Sequence, residues 1–562
     1  MERTDPAPAC ESPPAESSPG DAPLPVTEGS TPSSPASETA PAGPASPESP
    51  AAEHPASGKA AQRDHRHSRR HVSPYRLLAN LAIIFVALFL FVRVFAVEPF
   101  GVPTGSMAPA LIGNHREAAC PRCGYPVRVG APNGLDPDIH FDPDHVACPN
   151  CQSRVSLINA ADLAGDRLLV DKNVFNLRRP RRWEMIVFYC PDTDPKEYRK
   201  PYVKRIVGLP GESLLIRDGE VYANDELLRK GLEELRETRV LVFDMSYAPK
   251  PGGWNRRWLV EPPGSDPRLP ANSGQEAEPA ESSVVAAGRL TLDSAMTPQS
   301  TASVVYRHWN FDTRVEEVIR AWSSYDGVPH RFSKPALESI DAAHDFSFEC
   351  DVEVVASSPE GQFTCRLSDG MDLVAANVPV GKRAKADAIL FQEGVGVIGR
   401  EPGVRLRPGS TYHVEFSFVD RRVILAIDGE VVVPPADLPP PPHKRGEVSR
   451  PLRFEARGCR LEFHNLKLYR DTYYTQFGEH GTQGEDGLPH PAVLGKKEYF
   501  VLGDNSGNSQ DSRKWPTPGV PEDEIIGKPF LIHQPLRPGR MTIGGRERHY
   551  QTLDWSRLRW LH

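Results

Sequence analysis

The chain has 562 residues, a net charge of −8 and a pI near 6.2, so no global basic field directs it to nucleic acid. Apolar residues make up 39% and charged residues 25%, enough for more than one folded domain plus linkers. The 58 prolines are unevenly placed and mark where the chain changes character.

Residues 1–61 are mostly Pro, Ala, Ser and Glu with almost no aromatics. Such a stretch buries too little apolar surface to offset its ordering entropy, and it holds no apolar core of a signal peptide. We expect a disordered tail over 1–75 that ends in a basic cluster, "RDHRHSRRHVSPYR" (Arg63–Arg76). The run "RLLANLAIIFVALFLFVRVFAV" (Arg76–Val97) is broken only by Asn80 and Arg93. About 20 apolar residues span a bilayer core, so 76–98 is predicted to be a single transmembrane helix, with Arg93 snorkelling to the interface. The basic cluster precedes it, which places the N-terminus in the cytoplasm and all that follows outside.

Just beyond lies "VPTGSMAPAL" (Val102–Leu111), with Ser106 between a glycine and a methionine. The segment 118–153 holds "CPRCG" (Cys120, Cys123) and "CPNC" (Cys148, Cys151). Two CxxC pairs resemble a four-cysteine zinc ribbon or rubredoxin-like knuckle, a closed structural site with no open ligand position. The rival reading is two disulfides in an oxidising compartment. "GDRLLVDK" (Gly165–Lys172) and "EMIVFYC" (Glu184–Cys190) read as strands, and Asp218-Gly219 marks a hairpin within "YVKRIVGLPGESLLIRDGEVYAND" (Tyr202–Asp225). Residues 99–232 thus form the first part of a β core.

Residues 233–306 turn polar and rich in Pro and Gly, and read as a linker. A strand-dense region follows over 307–475, with Asp428-Gly429 as another tight hairpin. It resembles a concanavalin-like or laminin-G-like β-sandwich and shows no nucleophile–base pair of its own. Cys350, Cys365 and Cys459 fall here; being odd in number, at least one stays free or pairs elsewhere. The insert is expected to be a spacer, with glycan or preprotein binding as the alternative and its ligand unknown. Its two ends should lie close in space. Residues 476–562 close the core and carry "VLGDNSGNSQDSRKW" (Val501–Trp515), a turn-rich polar loop.

Ser106 has no GxSxG elbow, and no His and Asp form a triad pattern. A lysine serves as base only when neutral, and an unperturbed lysine has a pKa of about 10.4. Burial lowers it; a drop of about two units costs roughly 3 kcal/mol. Lys204 in "YVKRIVG" sits in an apolar strand beside Arg205. Alternation points the two to opposite faces, so that one can be buried and the other exposed.

Taken in order, the anchor, "PTGSMAPAL", "GDRLLVDK", "YVKRIVGLPGE" and "GDNSGNSQDSR" resemble type I signal peptidase (leader peptidase), the serine–lysine protease family that removes signal peptides. The resemblance spans 92–225 and 498–531. It implies a mainly β catalytic core held at the cell (inner, cytoplasmic) membrane, with the catalytic domain extracytoplasmic. It also implies no catalytic cofactor, and preprotein signal peptides and the lipid bilayer as partners. Ser106 matches the nucleophile and Lys204 the general base. Thr104 sits where a hydroxyl joins the Ser106 N–H in the oxyanion hole. Ser509 matches the serine that orients the lysine, Asp511 and Arg513 a structural ion pair, and Asp504 a supporting position. Met107 matches the residue that packs beside substrate. The cut follows small residues, Ala-x-Ala. Two departures stand out: Trp183-Glu184 replaces a usual Gly-Asp, and "NSGNS" follows Asp504 where a charge is common. The alternative function is a catalytically inactive, membrane-tethered scaffold that presents the sandwich.

Overall fold

A computed structural model describes residues 73–131, 146–191, 195–260, 284–286, 288–296, 300–327, 340–382, 386–475, 488, 490–543 and 546–561. All but the last three residues of the expected tail lie outside the described residues. A helix, Pro74–Phe95, opens the described chain. Its apolar side chains face outward rather than into a core: Leu78, Ile84 and Phe85 are 64%, 61% and 70% exposed. The side chains of 90–95, Arg93 among them, lie outside the described residues. Counted over the described residues, no helix is long and apolar enough to cross a membrane.

The rest is mainly β. A core sheet runs in the order Val97–Gly101, Arg167–Asp171, Ile525–Ile532, Met185–Tyr189, Pro201–Gly208, Glu498–Leu502, Gly519–Pro521. The chain enters it directly from the helix, and strands from both ends of the sequence alternate within it. A smaller sheet holds the hairpin Ser213–Arg217/Glu220–Ala223, flanked by Glu226–Leu227 and Ala492–Val493. Asp218 and Gly219 have φ of 50° and 79°, the left-handed pair that a tight two-residue turn requires.

The inserted unit is organised by two long strands, Phe346–Ser368 and Leu452–Arg470. The first half of the earlier strand pairs with Thr411–Val419, and its second half with Leu373–Val380. The two long strands pair with each other throughout, and their register slips between Val354 and Gln362. Such bulges let a strand leave one layer and enter another. The layers pack through aromatic side chains from opposite halves: Phe348 meets Phe454 at a centroid distance of 5.0 Å, and Phe363 meets Phe463 at 5.6 Å. Cys350, Cys365 and Cys459 are all buried free thiols here.

The expected linker over 233–306 is not one. Val240–Asp244, Arg289–Asp293 and Thr301–Tyr306 each pair with the strand Leu452–Arg470, and Trp258–Val260 extends the same sheet. Its polar, proline-rich composition hid short strands whose inward residues, Phe243, Trp258, Leu290 and Tyr306, are fully buried. Val240 pairs with Arg470, which brings residues 230 apart in sequence side by side where the chain enters and leaves this sheet.

Insert and core are joined by buried ion pairs. Lys230 Nζ donates to Asp420 Oδ2 at 3.0 Å and to Asp471 Oδ2 at 2.7 Å. Arg445 of the insert reaches Glu220 of the core hairpin at 2.7 Å. Buried charges persist only when paired in this way.

Candidate active site

Ser106 sits in a turn that follows the first core strand. The Ala108 N–H donates to the Gly105 carbonyl at 2.9 Å and the Leu111 N–H to the Met107 carbonyl at 2.8 Å. That turn aims Met107 and Leu111 into the core, where both are fully buried.

Lys204 lies on the strand Pro201–Gly208, paired with Ile186. Its Nζ donates to Ser106 Oγ at 2.5 Å across a separation of 98 residues. Burial pushes the lysine from its ordinary 10.5 down to about 8; Asp511 opposes the shift and Arg513 adds to it. An amine of that pKa is substantially neutral near pH 8 and can accept a proton.

Lys204 and Arg205 do point to opposite faces of this strand, but neither face is exposed. Lys204 is 3% exposed and Arg205 0%. Arg205 faces away from Ser106, but that face is covered too. Its Nε and Nη2 donate to the two carboxylate oxygens of Asp504, each at 2.8 Å. Its Nη1 donates to the Trp183 carbonyl at 2.6 Å and to Glu237 Oε2 at 2.8 Å. Glu237 comes from the helix Leu232–Thr238 on the way to the insert. Asp504 is thus a bidentate partner for a buried guanidinium, a role the sequence left unspecified.

Asp511 and Arg513 form the expected pair, fully buried, with Arg513 Nε to Asp511 Oδ1 at 2.9 Å and Nη2 to Oδ2 at 2.8 Å. Burial opposes the Asp511 charge, yet Arg513 and Ser509 together hold the carboxyl below its ordinary value. The Ser509 hydroxyl donates to Asp511 Oδ2 at 2.6 Å. Its oxygen keeps free lone pairs, yet Lys204 Nζ donates to Ser106 Oγ and not to Ser509, so the expected bond from the lysine is not formed. Thr104 Oγ1 lies 3.5 Å from Ser106 Oγ at the open side of the site. The loop closes tightly: a Cβ on Gly503 would collide with Ser509 Oγ and the Ser106 carbonyl.

Trp183 takes φ of 69°, the left-handed region that glycine favours. Its indole lies under Lys230, Nζ 4.7 Å from the ring centroid. Glu184 accepts from Arg178 at 2.6 Å and from Lys528 at 2.9 Å.

Cys120, Cys123, Cys148 and Cys151 are four buried free thiols whose sulfurs all lie within 4.8 Å of one another. Cys120–Cys151 and Cys123–Cys148 each measure 3.6 Å, close to the about 3.8 Å edge of a tetrahedron with zinc–sulfur bonds of about 2.3 Å. The two turns have one geometry. Gly124 N–H donates to the Cys120 carbonyl at 2.8 Å and Gln152 N–H to the Cys148 carbonyl at 2.9 Å, both with positive φ. The donor set fits one tetrahedral thiophilic ion, and none of the four cysteines is in a disulfide.

Sequence reading missed Asn505, Tyr325 and Asp326, which meet the nucleophile turn. Asn505 had a signal in the polar density of its loop. Tyr325 and Asp326 had none, since they reach the site only through the fold.

Ser106 thus presents its hydroxyl 2.5 Å from a buried amine of lowered pKa, a geometry in which the amine can accept the hydroxyl proton. Residues 156–289 and 457–533 match the family described as signal peptidase, peptidase S26, a range that holds Lys204, Ser509, Asp511 and Arg513 and stops short of Ser106. Similar proteins include the probable signal peptidase I-2 of Synechocystis, 39% identical over 64 residues, 11% of this chain and 29% of that protein. The signal peptidase I of Rickettsia bellii is 26% identical over 148 residues, 26% of this chain and 39% of the relative. That of Aquifex aeolicus is 49% identical over 49 residues, 9% and 18% of the two chains. These matches cover only parts of the chain, and the chain spans well under half the length of these relatives. Among solved structures, a carbohydrate binding module from Bacillus subtilis matches 23% of this chain and 78% of its own at 17% identity and a TM-score of 0.18. The Emp46p carbohydrate recognition domain matches 40% and 95% at 9% identity and a TM-score of 0.23. At scores this low nothing about fold or ligand follows.

Proposed function

We propose that the protein is a membrane-bound endopeptidase that removes signal peptides from exported preproteins, cutting after small residues in an Ala-x-Ala pattern. Neutral Lys204 takes the Ser106 proton as Oγ attacks the scissile carbonyl. The Ser106 N–H and the Thr104 hydroxyl stabilise the oxyanion. The protonated lysine returns its proton to the leaving amine, which departs with the mature chain. Lys204 then deprotonates a water that hydrolyses the acyl ester, releasing the signal peptide and restoring Ser106. The observation that carries this reading is the 2.5 Å contact between Lys204 Nζ and Ser106 Oγ inside a buried pocket.

The outward-facing apolar helix Pro74–Phe95 is the anchor in this reading, with the N-terminus cytoplasmic and the catalytic part outside. From Val97 to Ser106 the chain reaches at most about 30 Å, which keeps the site near the bilayer where signal peptides end. The four cysteines hold a structural zinc ion away from the chemistry. The insert is a concanavalin-like sandwich.

The test is preprotein cleavage by detergent-solubilised protein. Ser106→Ala and Lys204→Ala should each abolish turnover in folded protein. Lys204→Arg should fail as well, since a guanidinium does not deprotonate in this range. Near-normal turnover by Lys204→Arg would remove the lysine from the role of base. Processing by Ser106→Ala would sink the whole reading, and absence of cleavage by the wild-type chain would favour the tethered scaffold.

A further inference from the structure

The segment Ser323–Asp326, carried by the inserted unit, is seated on the nucleophile turn. The Tyr325 ring lies so close over Gly105 that any Cβ there would overlap it. Tyr325 clusters with Ala108 and Ile112 of the same turn, and its hydroxyl donates to the Asn114 carbonyl at 3.1 Å. The next residue, Asp326, accepts from two side-chain amides of the catalytic loop: Asn505 Nδ2 at 2.6 Å and Asn508 Nδ2 at 3.1 Å.

Asn505 is the link to Ser106. Its backbone N–H donates to the Ser106 carbonyl at 3.0 Å, and its Nδ2 donates to the Gly105 carbonyl at 3.1 Å. The Gly105 carbonyl and the Ser106 N–H belong to one planar peptide unit, so fixing the carbonyl fixes where the N–H points. An asparagine amide can present either its oxygen or its nitrogen to a neighbour. Burial raises the Asp326 carboxyl to about 7 against the opposing amide bonds of Asn505 and Asn508; once ionised it accepts only, and so holds the nitrogen of Asn505 toward both itself and Gly105.

We infer that Asp326 is a positioning residue for the cleavage reaction: by locking the Asn505 amide, it fixes the peptide unit whose N–H stabilises the oxyanion at Ser106. The inference rests on the serine–lysine reading above. It also makes the inserted unit part of the active site's construction, since the core alone supplies no substitute for Tyr325 and Asp326 among the described residues. Oxyanion donors act only when placed before the reaction, and displacement of a reacting group by about 1 Å can cost on the order of a hundredfold in rate.

The experiment is steady-state cleavage of one preprotein by the full chain in detergent, over a range of pH. Asp326→Leu should lower kcat about ten- to a hundredfold and leave KM within about twofold, because ground-state binding does not use the oxyanion donor. Asp326→Asn keeps an acceptor oxygen in place and should recover most of the loss. The rise of kcat/KM with pH should keep its midpoint in Asp326→Leu; a general loosening would wet Lys204 and move it upward. If Asp326→Leu does not fold, Asp326→Ser carries the same expected fall. Wild-type kcat in the folded variant overturns the inference, as does a loss shared equally by Asp326→Asn. Ser106→Ala separates the levels: if it still cleaves, the serine–lysine reading fails; if it is dead while Asp326→Leu is normal, only the positioning role fails.

Discussion

Lys204 and Arg205 are consecutive on one strand, both are buried, and they serve opposite faces of it: the ammonium meets Ser106 Oγ at 2.5 Å while the guanidinium grips Asp504 with two bonds of 2.8 Å. The reactive and the structural cation are thus held by a single backbone segment. Any shift of the arginine moves the lysine with it, because the strand between them is paired on both sides.

The first consequence is a pH profile. With Lys204 lowered to about 8, kcat/KM should rise with pH to a midpoint near that value and fall about tenfold per unit below it. A midpoint near 10.4 would mean that the lysine is solvated and ordinary.

The same shift has a cost in stability. Folding depresses the lysine pKa, so the folded state binds fewer protons than the unfolded chain between about 8 and 10.4, and stability rises with pH across that window. Below pH 8 both states are protonated and the buried ammonium costs roughly 3 kcal/mol, order of magnitude. Lys204→Met should therefore be inactive yet more stable than wild type by about 2 kcal/mol at pH 6–7, with the gap closing toward pH 10. Denaturation midpoints across that range measure it, and a gap that does not depend on pH contradicts the account.

Asp504→Ala strips the bidentate partner from a fully buried arginine and leaves only Glu237 beside it. We expect a loss of about 3–5 kcal/mol, as for other broken buried pairs. Arg205→Lys should also destabilise, since an ammonium cannot make the two parallel bonds. Urea denaturation of both variants reads the effect directly.

Elemental analysis of the purified chain should give one zinc per molecule, and Cys148→Ser should abolish it. Chelation should expose the segment 115–163 to protease. Two disulfides and no metal would restore the rival reading of the cysteines.

Replacing 240–470 by a short Gly/Ser linker tests the spacer reading of the insert. The deletion removes Tyr325 and Asp326 from the nucleophile turn, Asp420 from Lys230 and Arg445 from Glu220. Turnover should fall at least about tenfold even if the core still folds. Near-normal turnover would return the insert to the status of a passive spacer.

The roles of Ser106 and Lys204 and the Asp511–Arg513 pair were implied by the resemblance, whereas the two CxxC turns and the hairpins at Asp218-Gly219 and Asp428-Gly429 were legible in the residues alone. Local chemistry fixes such features: a left-handed turn needs particular residues, and two cysteines three apart share a knuckle. The strands hidden in 233–306 were not legible, because their partners stand about 150 residues or more away in Leu452–Arg470 and their own composition is that of a loop. Nor was the burial of Arg205. A strand's alternation assumes one wet face, and here a helix and the Asp504 loop dry the second. Ser509 turned to Asp511 because both sit on one loop, a choice among acceptors that spacing does not rank. The sequence by itself determined which residue types the proposed chemistry can draw on, since a nucleophile and a base must be of the right residue type. Only the tertiary structure decided what holds them in place, because Asp326, Asn505 and Gly105 lie far apart along the chain and meet solely through the way the insert folds back onto the core.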